Sequence, residues 1–212
     1  MPARQLQPSE YLRFRELGVA TVHEASGQQG LIDADLVQVV PGSSVAGPAR
    51  TVRCGQDDNL AVHLAIERLE PGDVLVLTMP EPRPVALVGD LLVLQAQAHG
   101  AAGVLVDAAI RDRGELVGTG LPVWARWVRA AGTAKGDPGA IDVPVVVGGA
   151  TIEPGDVVVL DADGVVVVAQ ARAGEVLQAA EARQHKEAMI RPRLQAGELT
   201  ADIYGFRAEP GR

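Results

Sequence analysis

The sequence predicts an α/β fold with a mixed sheet and a long C-terminal helix. Three observations carry that reading. Short Val-rich runs recur along the chain, at residues 74–78, 143–147, 157–160 and 165–169. Helix-length segments with apolar residues three and four apart separate several of them. A heavily charged helical pattern, residues 174–191, comes last. Strands alternating with helices place the chain among mixed-sheet α/β or α+β proteins.

Taken in order, residues 9–17 are polar-rich and helical in pattern, with Ser9 as N-cap and Gly18 as stop. Residues 21–27 read as a second short helix, and residues 45–54 as a strand after the turn Pro41-Gly42. Asp57 and Asp58 then cap a helix over 59–69, with Leu60, Leu64, Ala65 and Ile66 on its apolar face. Glu70-Pro71-Gly72-Asp73 puts Pro second and Gly third in a tight turn that opens the strand 74–78. The same device returns at Glu153-Pro154-Gly155-Asp156. A helix is expected over 91–99, followed by the apolar run 103–106 and a charged strand end. The turn at 161–164 prepares a hairpin. Residues 132–144, with three Gly and two Pro, are the loosest stretch and read as a functional or assembly loop. Pro192 weakens continuation of the last helix, and residues 202–207 form a tail with Tyr204 and Phe206. No linker divides the chain. Residues 1–212 are therefore expected as a single domain, with 171–212 as a helical C-terminal extension.

Composition narrows the function. Net charge is −8 and aromatics are 3%, with no basic run interleaved with aromatics, which disfavours nucleic acid as a partner. An anionic substrate stays open, because the charge of a site can oppose the total. Cys54 is alone, so no intrachain disulfide forms and a reducing compartment is expected. No apolar run approaches twenty residues and no basic-then-apolar start occurs, so a soluble cytoplasmic protein without membrane contact is the simplest expectation.

Two stretches carry candidate chemistry: Gly89-Asp90-Leu91-Leu92 and Arg111-Asp112. A Gly at a helix start lets backbone approach a ligand, and the free N–H groups there suit an anion. An Arg beside an Asp at a strand end offers one group to an oxyanion and one to a cation. Each residue also has a plainer reading. Asp90 is either the N-cap of the following helix or a carboxylate beside a bound anion. Arg111 and Asp112 are either a surface ion pair or a ligand site at a strand end, where α/β sheets tend to bind ligands. Asp107 reads as structural, satisfying loop amides. Glu187 lies among helical charges, which usually form a solvated face. His23, His63, His99 and His185 show no metal-ligand spacing, so zinc is disfavoured while an oxygen-ligand site for a hard cation stays open. The only lysines, Lys135 and Lys186, lie in a Gly- and Pro-rich loop and among helical charges. Neither has the apolar setting a Schiff-base lysine needs, so carbonyl chemistry here would call for a metal. No nucleophile elbow, phosphate loop or dinucleotide fingerprint occurs.

The order Gly89-Asp90-Leu91, then residues 103–110, then Arg111-Asp112, resembles the 4-hydroxy-4-methyl-2-oxoglutarate / 4-carboxy-4-hydroxy-2-oxoadipate aldolases. These are related to the regulators of ribonuclease E activity. The resemblance extends through Asp58-Asn59-Leu60, residues 122–126, Gly132-Thr133, residues 143–145, Pro154-Gly155-Asp156, residues 163–165, Glu187, Gly197-Glu198 and Tyr204-Gly205. It implies a swivelling β/β/α-like fold, homotrimers or homohexamers, and active sites between subunits. It implies a divalent cation, Mg²⁺ or Mn²⁺, with Asp112 as its ligand. Pyruvate would lie on the backbone amides of Gly89, Asp90, Leu91 and Leu92, with Arg111 binding it. Asp90 would sit near the reacting carbons, and Glu187 would come from a neighbouring subunit on which the C-terminal extension packs. Two departures stand out: Ala108 where the family commonly has Gly, and Glu24 where relatives usually have Asp. The implied activity is metal-dependent aldol cleavage of a 4-hydroxy-2-oxo acid to pyruvate, with oxaloacetate decarboxylation through the same enolate. The intact Arg111-Asp112 pair favours this over the alternative, a non-catalytic regulator that binds a ribonuclease through its surface.

Overall fold

The computed structural model describes residues 6–207. Helix α1 (Pro8–Ala25) is two helical pieces joined at Gly18, whose φ of 78° is left-handed. The break falls where the sequence predicts it, but the cap does not. Gln7 is the N-cap, and its N–H donates to the Glu10 carboxylate at 2.8 Å. Pro8 takes the first helical position, where its missing N–H would have had no partner, so Ser9 lies inside the helix. Asp161 Oδ2 accepts from the Val19 N–H at 2.8 Å and so starts the second piece.

The chain continues through β1 (Val37–Gln38), β2 (Val45–Arg53), α2 (Leu60–Ile66), β3 (Val74–Thr78), β4 (Ala86–Val88) and α3 (Asp90–Ala98). Next come β5 (Gly103–Ile110), α4 (Arg113–Thr119), β6 (Val123–Val128), β7 (Ala140–Ile141), β8 (Val145–Val147) and β9 (Ala150–Ile152). The last elements are β10 (Val157–Asp161), β11 (Gly164–Val168), α5 (Ala173–Gln195) and α6 (Thr200–Ile203). Among the described residues, nine strands form one mixed sheet in the order β1-β6-β5-β3-β2-β10-β11, with β4 beside β5 and β7 beside β2. β8 and β9 pair separately. The pairs β2–β3, β3–β5, β4–β5 and β5–β6 are parallel. Parallel neighbours need long crossovers, and α2, α3 and α4 supply them.

Burial on both faces explains why the central strands read as unbroken apolar runs. In β3, Leu75 and Leu77 pack with Val62 and Ile66 of α2 and Val93 of α3. Val74 and Val76 point the other way, toward Val145, Val147 and Ile152 of the β8–β9 hairpin. At the antiparallel end, Phe14 and Val22 of α1 and Val176 and Ala180 of α5 cover β10 and β11. Phe14 is fully buried there, and truncating it to Ala would destabilise the fold by about 3–5 kcal/mol.

The two repeated turns are one device used twice. The Asp73 N–H reaches Glu70 O at 3.1 Å, and Asp73 Oδ2 accepts from Glu70 N–H at 3.0 Å. The Asp156 N–H reaches Glu153 O at 3.1 Å, and Asp156 Oδ2 accepts from Glu153 N–H at 2.9 Å. Gly72 and Gly155 hold φ of 99° and 86°, which is why Gly fills the third turn position. Each buried Asp has a further partner: Arg50 at 3.0 Å for Asp73, and the Gln170 N–H at 2.9 Å for Asp156.

Other elements depart from expectation for physical reasons. α2 ends at Ile66 rather than 69, because Arg68 and Leu69 turn back to carbonyls three residues earlier as the chain tightens towards Pro71. β5 runs on to Ile110, and Asp107 is a buried strand residue whose partner is the Arg126 guanidinium of β6, not a loop amide. Burial pushes the Asp107 carboxyl up, and Arg126 opposes that shift. α5 passes through Pro192 and ends at Gln195. Its last buried residue is Ala180, so the carbonyl that loses its donor opposite Pro192 lies in an exposed stretch where water reaches it. Residues 200–203 form a helical turn that runs into the tail expected from residue 202. Among the described residues, no helix is long and apolar enough to cross a membrane.

Candidate active site

The C-terminal ends of parallel β4 and β5 build the site. The Arg111 N–H donates to Val88 O at 3.1 Å, which sets the end of β5 beside Gly89. Gly89 is the extended N-cap of α3, so Asp90 is the first helical residue and not the cap that one reading of the sequence expected. The Asp90 carboxylate has no hydrogen-bond or ion-pair partner among the described residues. It lies half-buried on the wall of a cleft of about 190 Å³.

Asp112 closes the arrangement. Its Oδ2 accepts from the Asp90 N–H at 3.3 Å and lies 3.5 Å from Arg111 Nε. Asp112 holds a left-handed φ of 57°, a conformation Asp tolerates better than most residues, and it begins α4. A Cβ on Gly89 would strike the Asp112 carboxylate and press on the Arg111 side chain at 3.1 Å. The glycine is there for that close approach. The Arg111 side chain is half-exposed and the Asp112 side chain about a third, so both can meet a ligand. Gly89, Asp90, Leu91, Leu92 and Arg111 line the cleft together in one chain, and Asp112 stands behind them against Arg111 and the start of α3.

The remaining walls come from residues outside the candidate set, in segments that the family resemblance and the loose loop 132–144 already mark. Asn59 and His63, one turn apart at the start of α2, form one side. Gly132, Thr133 and Lys135 of the loose loop form another, so Lys135, set aside as an imine former, does border the cleft. The four-residue spacing of Asn59 and His63 was the available signal, but spacing does not say which way a helix faces. Asp58 joins these two walls. Its carboxylate accepts from the N–H groups of Leu60 at 2.9 Å, Gly136 at 2.6 Å and Asp137 at 3.1 Å. Those bonds, the one from Leu60 first, hold its carboxyl below the usual range. Behind them, burial pushes the Cys54 thiol up to about 12, with Asp58 and Asp137 adding to the shift, so this thiol is chemically quiet.

Glu187 is not among the residues lining the cleft in one chain. It lies on α5 beside Arg183 at 3.1 Å, and Arg183 is also 3.9 Å from Glu24 of α1. Both acids therefore sit with the α1–α5 pair.

The donor set fits a hard cation held lightly. Among the described residues, no three His, Cys, Asp or Glu side chains converge to hold a metal. Asp112 offers one accessible carboxylate, with Oδ1 unused by the contacts above. Mg²⁺ accepts such a site when water and ligand oxygens complete its shell; a zinc-type closed cage would not.

This parallel-strand end sets a guanidinium and helix-start N–H groups, which suit a small anion, beside one accessible carboxylate, which suits a hard cation. A family model described as RraA-like, Aldolase/RraA, matches residues 19–167, and the chain belongs to that family. A relative from Halalkalibacterium halodurans, named "Putative 4-hydroxy-4-methyl-2-oxoglutarate aldolase", is 35% identical over 172 residues, covering 81% of this chain and 82% of its own. Among solved structures, an uncharacterized protein from Pseudomonas syringae pv. tomato superposes with a TM-score of 0.82 at 28% identity, covering 92% of this chain and 96% of that one. Streptomyces coelicolor RraAS2, described as an unusual member of the RNase ES inhibitor RraA protein family, gives 0.79 at 29% identity, covering 90% and 99%. The mixed α/β fold with its C-terminal helix is the fold of these neighbours.

Proposed function

We propose that the chain is a divalent-metal-dependent lyase that cleaves 4-hydroxy-4-methyl-2-oxoglutarate or a related 4-hydroxy-2-oxo acid to pyruvate, and that it also decarboxylates oxaloacetate. The observation that carries this reading is the Arg111–Asp112 pair closed over the start of α3. Arg111 offers a planar fork to the carboxylate of a 2-oxo acid. The N–H groups of Leu91 and Leu92 belong to the first helical turn, where no intrahelical carbonyl meets them, and complete the anion end. Asp112 would hold Mg²⁺ or Mn²⁺ together with water and substrate oxygens, and a cation there supplies Lewis-acid polarisation of the 2-oxo group. The Asp90 carboxylate, without a partner among the described residues, orients a water that takes the C4 hydroxyl proton as the C3–C4 bond breaks. Glu187 of a neighbouring copy in a homotrimer or homohexamer is the second candidate for that duty.

The test is pyruvate release from oxaloacetate and from 4-hydroxy-4-methyl-2-oxoglutarate, before and after EDTA and after Mg²⁺ or Mn²⁺ is restored. Loss and recovery are expected. Full activity in chelator, or a borohydride-trapped imine on Lys135, would overturn the metal mechanism. The similarity to RraAS2 favours one other reading, a regulator that binds a ribonuclease through its surface. Ribonuclease inhibition without any pyruvate release would select it.

A further inference from the structure

Two polar atoms in the cleft are left over by the roles assigned so far. Asn59 is 6% exposed, and its Nδ2 donates to Leu87 O at 2.8 Å. That bond fixes the amide, because the opposite orientation would set two oxygens face to face. Asn59 Oδ1 therefore points elsewhere, and it has no partner among the described residues. His63 Nε2, one turn on, is likewise buried without a partner. Both residues line the cleft that Arg111 and the start of α3 close. Buried polar atoms without partners are costly, and two together in a ligand cleft mark where a polar group is bound.

Their chemistry restricts that group. Asn59 Oδ1 only accepts, so its partner is a donor, O–H or N–H, and cannot be an ionised carboxylate. A bridging water would suit both atoms, giving one O–H to Asn59 Oδ1, accepting from His63 in its Nε2–H tautomer, and keeping its second O–H free. A water's share of liquid is about 30 Å³, so a cleft of about 190 Å³ holds it beside a three-carbon acid.

We propose that Asn59 and His63 are positioning residues that hold the water which protonates C3 of the three-carbon product. This rests on the lyase reading above. Breaking the C3–C4 bond, or losing carbon dioxide from oxaloacetate, leaves an electron pair shared between C3 and the C2 oxygen. The water gives a proton to C3: a C3–H bond forms and an O–H bond breaks. The hydroxide so formed is reprotonated from solvent, and Asn59 and His63 keep the water in place for the transfer. In aldol cleavage the proton released from the C4 hydroxyl offsets the one delivered to C3, so no net proton is consumed. In decarboxylation the proton comes from solvent. Asp90 serves the other end of the reaction, the hydroxyl, so the two proton transfers fall to different walls of the cleft.

The step run backwards is the exchange of pyruvate methyl hydrogens with solvent, which needs no carbon–carbon chemistry. Wild-type protein with Mg²⁺ and pyruvate in D₂O should show this exchange by proton NMR. His63→Ala should slow it by about 100-fold, while pyruvate affinity, read by calorimetry, changes by less than about threefold. Added imidazole should restore part of the rate. The melting temperature should stay within about 2 °C, since Nε2 makes no bond to lose; if His63→Ala fails to fold, His63→Gln is read in its place. An unchanged exchange rate in the variant, or a wild type that releases pyruvate from substrate yet never exchanges its methyl hydrogens, overturns this inference and leaves the lyase reading standing. A wild type that neither exchanges nor releases pyruvate from any substrate overturns the lyase reading itself.

Discussion

Arg111 and Asp112 are placed by backbone before they are placed by charge. The Arg111 N–H is bound to β4, and the left-handed turn at Asp112 returns its carboxylate over α3. Removing either side chain therefore leaves the strand ladder intact. Asp112→Ala and Arg111→Ala should each lower turnover by about 10²–10³-fold with normal circular dichroism. Arg111→Lys should not recover it, because a point charge cannot replace two parallel N–H donors. Near-normal activity in Arg111→Lys would show that no bidentate contact is made. These residues were legible in the sequence because their chemistry is local: a Gly before a helix, and charges after an apolar run. Asn59, His63 and Lys135 were not legible as one group, since three distant segments bring them to the cleft. Asp107 was misread because a buried ion pair inside a strand looks, in one dimension, like the start of a loop.

At the level of elements, Asp58 ties the start of α2 to the loop that carries Thr133 and Lys135. Its carboxyl is held below the usual value, so its contribution is complete above about pH 4 and is lost as pH falls through its lower folded value. Acid should loosen this loop first. Hydrogen exchange at the Gly136 and Asp137 amides should rise below about pH 4 ahead of global unfolding, and Asp58→Asn should show the same loosening at neutral pH. Uniform protection until the whole fold opens would refute the tie. The two Pro-Gly-Asp turns were readable from sequence because four residues contain all their geometry. The end of α5 was not, since Pro192 is tolerated only because the surrounding turns lie in solvent, and exposure is a tertiary fact.

For the whole molecule, α5 divides in two. Its first turns pack on α1 and the sheet of the same chain, while no residue after Ala180 in it is buried. Exposed Met189, Leu194 and Leu199 follow, and Tyr204 stacks on Phe206 at 5.4 Å with Lys186 over the Tyr204 ring. Of the extension expected over 171–212, whose last five residues lie outside the described ones, we read the part after Ala180 as packing on a neighbouring copy and carrying Glu187 to that copy's cleft, in a closed ring. Mixed oligomers of inactive Glu187→Ala and inactive Asp112→Ala protein, after dissociation and reassembly, should then regain part of the activity. Verified mixed rings that stay inactive would place Glu187 outside a shared site. The stretch common to the family, residues 19–167, holds every wall of the cleft and ends before α5 begins. The cleft is thus common property of the family, while Glu187 lies outside the shared stretch, so relatives that lengthen, trim or exchange the terminal helix would keep the cleft and differ in what a neighbouring copy adds to it.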